Sequence, residues 1–280
     1  MDRKKITIPD LLKMKQQGIK ITMLTAYDYP LASIIDAAGV DMILVGDSVG
    51  NVVLGYESTI PVTMDEMIHH TKAVRRGTKF AFLVGDMPFM SFNVSSEATI
   101  SNAGRFIKEA GADAVKLEGG GPDAIRMVKA VVGAGIPVMG HLGLTPQTAT
   151  MLGGLKAQGK DEEAARKILE QALALETAGC FSIVFECIPA KLAELISKKL
   201  KITTIGIGAG SACDGQVLVT HDMLGLYGRF VPKFVKQYVD LSGQISAGIR
   251  KYIEEVRGEQ FPGVEHVFNM DEKKLKELKN

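Results

Sequence analysis

The sequence predicts a single α/β domain folded as a (β/α)8 TIM barrel, and three observations carry that expectation. Short apolar, β-branched runs recur along the chain, and a longer stretch with helical spacing follows each. Several of those stretches end in a common phrase, DAAGVD, KEAGAD, VGAGIP or ETAGCF, which reads as a helix stop at glycine and a tight turn into the next strand. Eight strand candidates fit within 280 residues. Strands alternating with helices imply right-handed crossovers and a parallel sheet, and eight of them favour a closed barrel over an open doubly wound sheet.

The elements can be justified in order. The first twenty residues, with LLKMKQQG, predict a helix beneath the barrel. The first four strands are ITMLTAY (21–27), MILVGD (42–47), FAFLVGD (80–86) and AVKLEG (114–119). Then come PVMGHLG (137–143), SIVFECI (182–188), TTIGIGA (203–209) and a weaker run, VLVTHDML (217–224). Between them, LASIIDAAG, MIHHTKAV, ATISNAGRFIKEAG, DAIRMVKAVVGAG and AARKILEQALALETAG repeat small and aliphatic residues at spacings of three and four. No linker rich in proline, serine or charge divides the chain. The barrel is therefore expected over 1–268, with a charged amphipathic tail, including MDEKKLKELKN, over 269–280.

Composition narrows the partners. The net charge of +1, from 33 basic and 32 acidic residues, gives no support for a nucleic-acid or anionic-membrane partner. No apolar run is long enough to cross a bilayer. The opening MDRKKITIPD is charged and broken by proline, unlike a secretory signal. Three cysteines, Cys180, Cys187 and Cys213, lack the spacing of a zinc site or a disulfide framework, and a reducing cytoplasm is the simplest compartment.

In such a barrel the functional groups lie at the C-terminal strand ends. Strand two ends at Asp47, followed by Ser48. Strand three ends at Asp86, strand four with Lys116 and Glu118, strand five with His141 and strand six with Glu186. Adjacent strands are about 5 Å apart, so Asp47, Asp86 and Glu118 can converge. Three carboxylates at an apolar mouth call for a cation, and Mg²⁺ suits oxygen ligands where no His/Cys cluster points to zinc. The alternative is a set of helix caps and surface charges. Lys116 and Glu118, two apart, share one strand face. Lys116 either binds a substrate anion, forms a Schiff base, or only pairs with Glu118. Glu186, flanked by Phe185, Cys187 and Ile188, suits a general base but also a structural cap. His141 either donates to substrate or is a satisfied strand-end histidine.

Three other features remain open at this point. The segment TATMLGGLKAQGKD after GHLGLTPQ reads as a mobile loop able to cover the site. The stretch GIGAGSACDGQ (206–216) is either an anion loop or a tight backbone passage. His69 and His70 read as surface or interface residues.

The segments LTAYDYP, LVGDSVGNVVLGYESTIPVTMDEMIHHTKAVRRG, DMPFM, VKLEGG, GHLGLTPQ, FECIP and GIGAGSACDGQVLVTHDMLG closely resemble the ketopantoate hydroxymethyltransferase family, from about residue 4 to 268. That resemblance implies transfer of a hydroxymethyl group from 5,10-methylenetetrahydrofolate to 3-methyl-2-oxobutanoate. The product would be 2-dehydropantoate, on the way to pantothenate and coenzyme A. It implies Mg²⁺ held directly by Asp47 and Asp86, with Glu118 supporting the metal's shell. Asp47 and Asp86 then also serve substrate binding through the metal. Ser48 and Lys116 match substrate-binding positions and Glu186 the proton acceptor, acting through a metal-stabilised enolate. The family's usual assembly, a homodecamer, is implied in the same way. The rival expectations are a carbon–carbon lyase of the isocitrate lyase or phosphoenolpyruvate mutase type, and a non-catalytic scaffold. The lyase would need a reactive group such as cysteine in the covering loop 147–160, which has none.

Overall fold

In the computed structural model, which describes residues 3–151, 153–228 and 231–278, eight parallel strands close into one barrel in sequence order. They are β1 (Ile21–Thr25), β2 (Met42–Val45), β3 (Phe82–Asp86), β4 (Ala114–Glu118), β5 (Val138–Gly143), β6 (Ser182–Glu186), β7 (Thr203–Ile207) and β8 (Gly215–Leu218). Closure is made by β1 against β8, with Met23 opposite Val217. The helices begin with α1 (Ile8–Gln17), α2 (Tyr29–Ala38), α3 (Val49–Val52), α4 (Met64–Gly77) and α5 (Ser96–Lys108). They continue with α6 (Pro122–Gly133), α7 (Glu162–Thr177), α8 (Ala190–Lys199), α9 (Thr220–Met223), α10 (Leu241–Arg257) and α11 (Glu272–Glu277). The expected (β/α)8 barrel is the fold observed.

Most strands are shorter than the apolar runs that announced them. The eighth differs most. It starts at Gly215 and stops at Leu218, and the THDM of the predicted run is helix α9. The cause is tertiary: the Thr220 hydroxyl donates to the Thr25 carbonyl at 2.5 Å, and the Thr220 N–H donates to Thr25 Oγ1 at 3.0 Å. Those bonds turn the chain out of the sheet. Strand two likewise ends at Val45, so Asp47 lies in the turn beyond it, and His141 lies inside β5 rather than at its end.

Alternation fills the barrel floor. Ile21, Met23, Met42, Leu44, Phe82, Val84, Ala114, Met139, Val184, Ile205 and Val217 point inward and pack together. The helix expected underneath is α1, whose fully buried Leu11 plugs this layer. Lys15 on α1 pairs with Asp214 at 2.8 Å and donates to the carbonyls of Ser197 and Ile202, which fixes the plug. A second apolar layer lies between the strands and the surrounding helices. Helix starts are set locally: Asp28, Thr63, Ser95 and Asp161 each accept a backbone N–H from the first turn, a cap worth about 1 kcal/mol.

Beyond the barrel, α10 buries none of its residues, although Ile245, Ile249, Tyr252, Ile253 and Val256 recur at helical spacing. The charged tail includes α11, also without a buried residue. Residues 1 and 2 of the expected barrel span, and 279 and 280 of the expected tail, lie outside the described residues, as do 152, 229 and 230. Among the described residues no helix is long and apolar enough to cross a membrane.

Candidate active site

The alternation that fills the floor also delivers polar groups to the mouth. Inward positions run Phe82, Val84, Asp86 on β3 and Ala114, Lys116, Glu118 on β4. They run Met139, His141 on β5 and Ser182, Val184, Glu186 on β6. Register sets these side by side, with Asp86 opposite Lys116, Glu118 opposite His141 and Gly143 opposite Glu186. Asp47 comes from the turn after β2, and its backbone N–H donates to Asp86 Oδ2 at 3.1 Å. Gly143 is required where β5 meets β6: its φ is +98°, and a Cβ there would lie 2.2 Å from the Glu186 carbonyl oxygen.

The geometry is a closed ionic cluster. Lys116 Nζ stands 2.8 Å from Asp86 Oδ1 and 3.9 Å from Glu118 Oε1. His141 bridges two acids, with Nδ1 at 3.2 Å from Glu118 Oε1 and Nε2 at 3.2 Å from Glu186 Oε2. Asp86 Oδ1 and His141 Nε2 meet their partners off the hydrogen-bond axis, so those contacts are electrostatic. Asp47, Asp86, Lys116, Glu118 and His141 are all buried, whereas the Glu186 side chain keeps 17% of its surface open. Lys116 and Glu118 share a face as expected, but the closest carboxylate to Lys116 is Asp86.

Burial raises the pKa of Asp47 well above the ordinary carboxylate value, and the neighbouring Asp86 and Glu118 raise it further. Burial also raises Asp86, with Lys116 working against it. Burial opposes the Lys116 ammonium, yet Asp86, Glu118 and Asp47 outweigh it and hold its pKa above the usual value. Burial and Lys116 disfavour a charged His141, but Glu118 and Glu186 prevail and lift it to about 9. Glu118 in turn is held low, since His141 and Lys116 overcome its burial. The two flanking carboxylates thus favour the charged form of His141, whose Nδ1 lies 3.2 Å from Glu118 Oε1. Lys116 Nζ also approaches the same Nδ1 at 3.3 Å, so the lysine and the histidine both face Glu118 Oε1.

Three participants were not anticipated. Gln147, on a 3-10 turn over Pro146–Thr148, is buried in the cluster and donates from Nε2 to Asp47 Oδ2 at 3.0 Å. Its one sequence signal is its place at the end of GHLGLTPQ, directly after a turn-setting proline. Tyr27, fully buried, shares a 2.7 Å hydrogen bond with Ser48 Oγ. Asp222 is buried at the same side of the mouth, and burial pushes its carboxyl up to about 6. A cavity of about 290 Å³ opens beside Glu118, lined by Phe92, Asn93, Asp123, Arg126 and Met127.

The other sequence-marked segments differ in how closely they approach the cluster. The second half of GIGAGSACDGQ descends to the barrel floor, where Lys20 donates to the Cys213 carbonyl at 2.5 Å and Lys15 pairs with Asp214. The segment's first half follows β7 at the mouth, where a Cβ on Gly208 would lie 3.3 Å from Cys187 Sγ, a close backbone passage. The turn at Pro146–Thr148 lies on the cluster and leads into the segment expected to cover the site, 148–161, in which the Gln158 N–H is tied to the Cys187 carbonyl at 3.0 Å. His69 is exposed, but the half-buried His70 bonds through Nδ1 to the Tyr27 carbonyl at 2.7 Å.

The donor set suits a hard divalent cation. Asp47, Asp86 and Glu118 offer oxygens, Asp47 and Asp86 are strained as buried carboxylates, and Gln147 Oε1 is buried without a partner. Among the described residues no three His, Cys, Asp or Glu side chains stand as a ready ligand set, because the carboxylates close on Lys116 instead. The residues fit such a cation once that ammonium turns away.

A family model described as ketopantoate hydroxymethyltransferase matches residues 5–264. A protein from Heliobacterium modesticaldum named 3-methyl-2-oxobutanoate hydroxymethyltransferase is 59% identical over 269 residues, covering 96% of this chain and 97% of its own. One of the same name from Clostridium botulinum is 54% identical over 274 residues, covering 98% and 99%. Among solved structures, phosphoenolpyruvate phosphomutase from Streptomyces platensis superposes with a TM-score of 0.61 at 13% identity, covering 90% of this chain and 88% of its own. Phosphonopyruvate hydrolase in complex with oxalate and Mg²⁺ gives 0.57 at 13%, covering 93% of each chain. At those identities the likeness is one of fold.

Proposed function

The chain belongs to the ketopantoate hydroxymethyltransferase family, and from that premise we propose how its barrel mouth works. It is an enzyme with 3-methyl-2-oxobutanoate hydroxymethyltransferase activity, in pantothenate synthesis. The proposal is that Mg²⁺ assists, that 5,10-methylenetetrahydrofolate supplies the one-carbon unit, and that Glu186 is the base. The observation that carries it is the convergence of buried Asp47, Asp86, Lys116 and Glu118, with the partly open Glu186 reached across His141.

In this proposal Asp47 and Asp86 hold the cation and Glu118 supports it. Mg²⁺, when bound, supplies Lewis acidity toward the keto group of the 2-oxo acid. Lys116, released from Asp86, takes the substrate carboxylate, and Ser48, oriented by Tyr27, adds a hydrogen bond. These contacts aim C3 at Glu186, which removes its proton. His141, 3.2 Å from Glu186 Oε2, orients the Glu186 carboxylate and contacts substrate. The C3 carbanion then bonds to the methylene carbon as one of that carbon's two C–N bonds breaks. Water displaces the other, leaving its hydroxyl on the carbon, while the water's proton and the C3 proton held by Glu186 pass to the two folate nitrogens, giving 2-dehydropantoate and tetrahydrofolate. The cavity beside Glu118 gives a bulky donor room to approach.

The exposed apolar stripe of α10 supports a homo-oligomer, with a decamer as the count the family resemblance implies. The catalytic unit would be residues 1–268, with 269–280 as an appended tail, working in the cytoplasm. The test is conversion of 3-methyl-2-oxobutanoate with methylenetetrahydrofolate, with Mg²⁺ or with EDTA. The proposal expects 2-dehydropantoate only when both Mg²⁺ and the folate are present. Equal turnover in EDTA would remove the metal from it.

A further inference from the structure

We propose that Gln147 completes the cation site: its carboxamide nitrogen fixes the Asp47 carboxylate, and its carboxamide oxygen accepts a hydrogen bond from a water that arrives with the divalent cation. The proposal rests on the metal reading above.

The orientation of the amide follows from its neighbours. One terminal atom of Gln147 lies 3.0 Å from Asp47 Oδ2 and 3.0 Å from the Met87 carbonyl. A carbonyl has no proton to give, and Asp47 has its other oxygen for any proton it carries, so the atom facing both is the NH₂ group. The other atom, Oε1, is then shut from solvent with no hydrogen-bond partner. The backbone N–H of the same residue donates to Glu118 Oε2 at 3.2 Å. One residue thus ties together Asp47, from the turn after β2, and Glu118, at the end of β4.

An unpaired buried acceptor costs roughly 1–3 kcal/mol, so its persistence asks for a donor that comes with a ligand. The nearby protein donors are engaged. Lys116 Nζ is turned on Asp86, and His141 faces Glu118 and Glu186. Mg²⁺ keeps several of its waters when protein carboxylates bind it, and the polarised O–H of such a water is the donor the site lacks. The 3-10 turn is held independently by the 2.6 Å hydrogen bond between Thr145 Oγ1 and Thr148 Oγ1, so the carboxamide is not needed to shape it.

Groups that orient a metal's direct ligands typically change metal affinity about 10–100-fold when removed. The experiment titrates the full chain with Mn²⁺, reading affinity by calorimetry and bound water by proton relaxation, with no turnover measured. Gln147→Leu and Gln147→Asn should each weaken Mn²⁺ at least roughly 10-fold, while the melting temperature in EDTA stays within a few degrees of wild type. Thr145→Val, which loosens the turn and spares the carboxamide, should keep wild-type affinity. Mn²⁺ affinity unchanged in both Gln147 variants, or weakened equally by Thr145→Val, overturns the assignment. A wild-type chain that binds no Mn²⁺ overturns the metal reading itself, and this inference with it.

Discussion

The Lys116 ammonium lies 2.8 Å from Asp86 Oδ1 inside the barrel mouth, with both side chains shut from solvent. Strand register explains the pairing, because Asp86 and Lys116 sit opposite each other across β3 and β4. In this arrangement the lysine is the counter-ion of the carboxylates that the proposed cation would need. The two roles compete for the same oxygens, and that competition is measurable.

Lys116→Met removes the charge and keeps the length. Without a cation it leaves Asp86 and Glu118 short of a partner, and breaking a buried pair costs about 3–5 kcal/mol. The variant should therefore melt well below wild type in EDTA. Mg²⁺ should then raise its melting temperature by more than it raises that of wild type, since no ammonium must be displaced. Thermal melts of both proteins, with and without Mg²⁺, check this. An equal Mg²⁺ shift in the two would contradict it.

His141 predicts a pH dependence. Its folded-state pKa is about 9, above the ordinary 6.5, so the folded chain keeps a proton that the unfolded chain releases between those values. Its contribution is complete below pH 6.5 and is lost as pH rises toward 9, amounting to roughly 3 kcal/mol. Urea denaturation in EDTA should show stability falling across that window, and His141→Gln should flatten the slope. A wild-type curve no steeper than the variant's would oppose the assignment.

Gly143→Ala tests the seam between β5 and β6. The added Cβ meets the Glu186 carbonyl at 2.2 Å in a backbone conformation that disfavours any side chain. Relief requires the Glu186 backbone to move. The expected result is a loss of about 2–4 kcal/mol in chemical denaturation, accompanied by weaker activity. Gly135→Ala, also at positive φ but with open space around its Cβ, should cost less.

Much of this site was legible in the sequence because period-two alternation is local. Once Val84, Ala114 and Val184 are assigned inward, Asp86, Lys116, Glu118 and Glu186 must follow them. What alternation does not carry is register between strands. For that reason alternation alone offers Lys116 only Glu118, two residues away, as a neighbouring acid, whereas its closer partner is Asp86 across the sheet. Gln147 was hidden for a related reason: it reaches Asp47 across 100 positions, from a turn with no period of its own. The end of β8 was misplaced because LVTHDML is apolar enough for a strand, and only the Thr25–Thr220 bonds redirect it. The stripe on α10 could have been found from Ile245, Ile249, Ile253 and Val256, which recur at helical spacing.

The most direct test of the proposed chemistry is deuterium exchange at C3 of 3-methyl-2-oxobutanoate in D₂O, followed by NMR with wild type and Glu186→Gln. No folate is needed, so the proton step is isolated from the carbon–carbon bond. The account predicts that wild type exchanges C3 only with Mg²⁺ present. Glu186→Gln should bind the acid with similar affinity but exchange it at least about 100-fold more slowly. Exchange by Glu186→Gln at near the wild-type rate would contradict the account and move the base elsewhere in the barrel mouth.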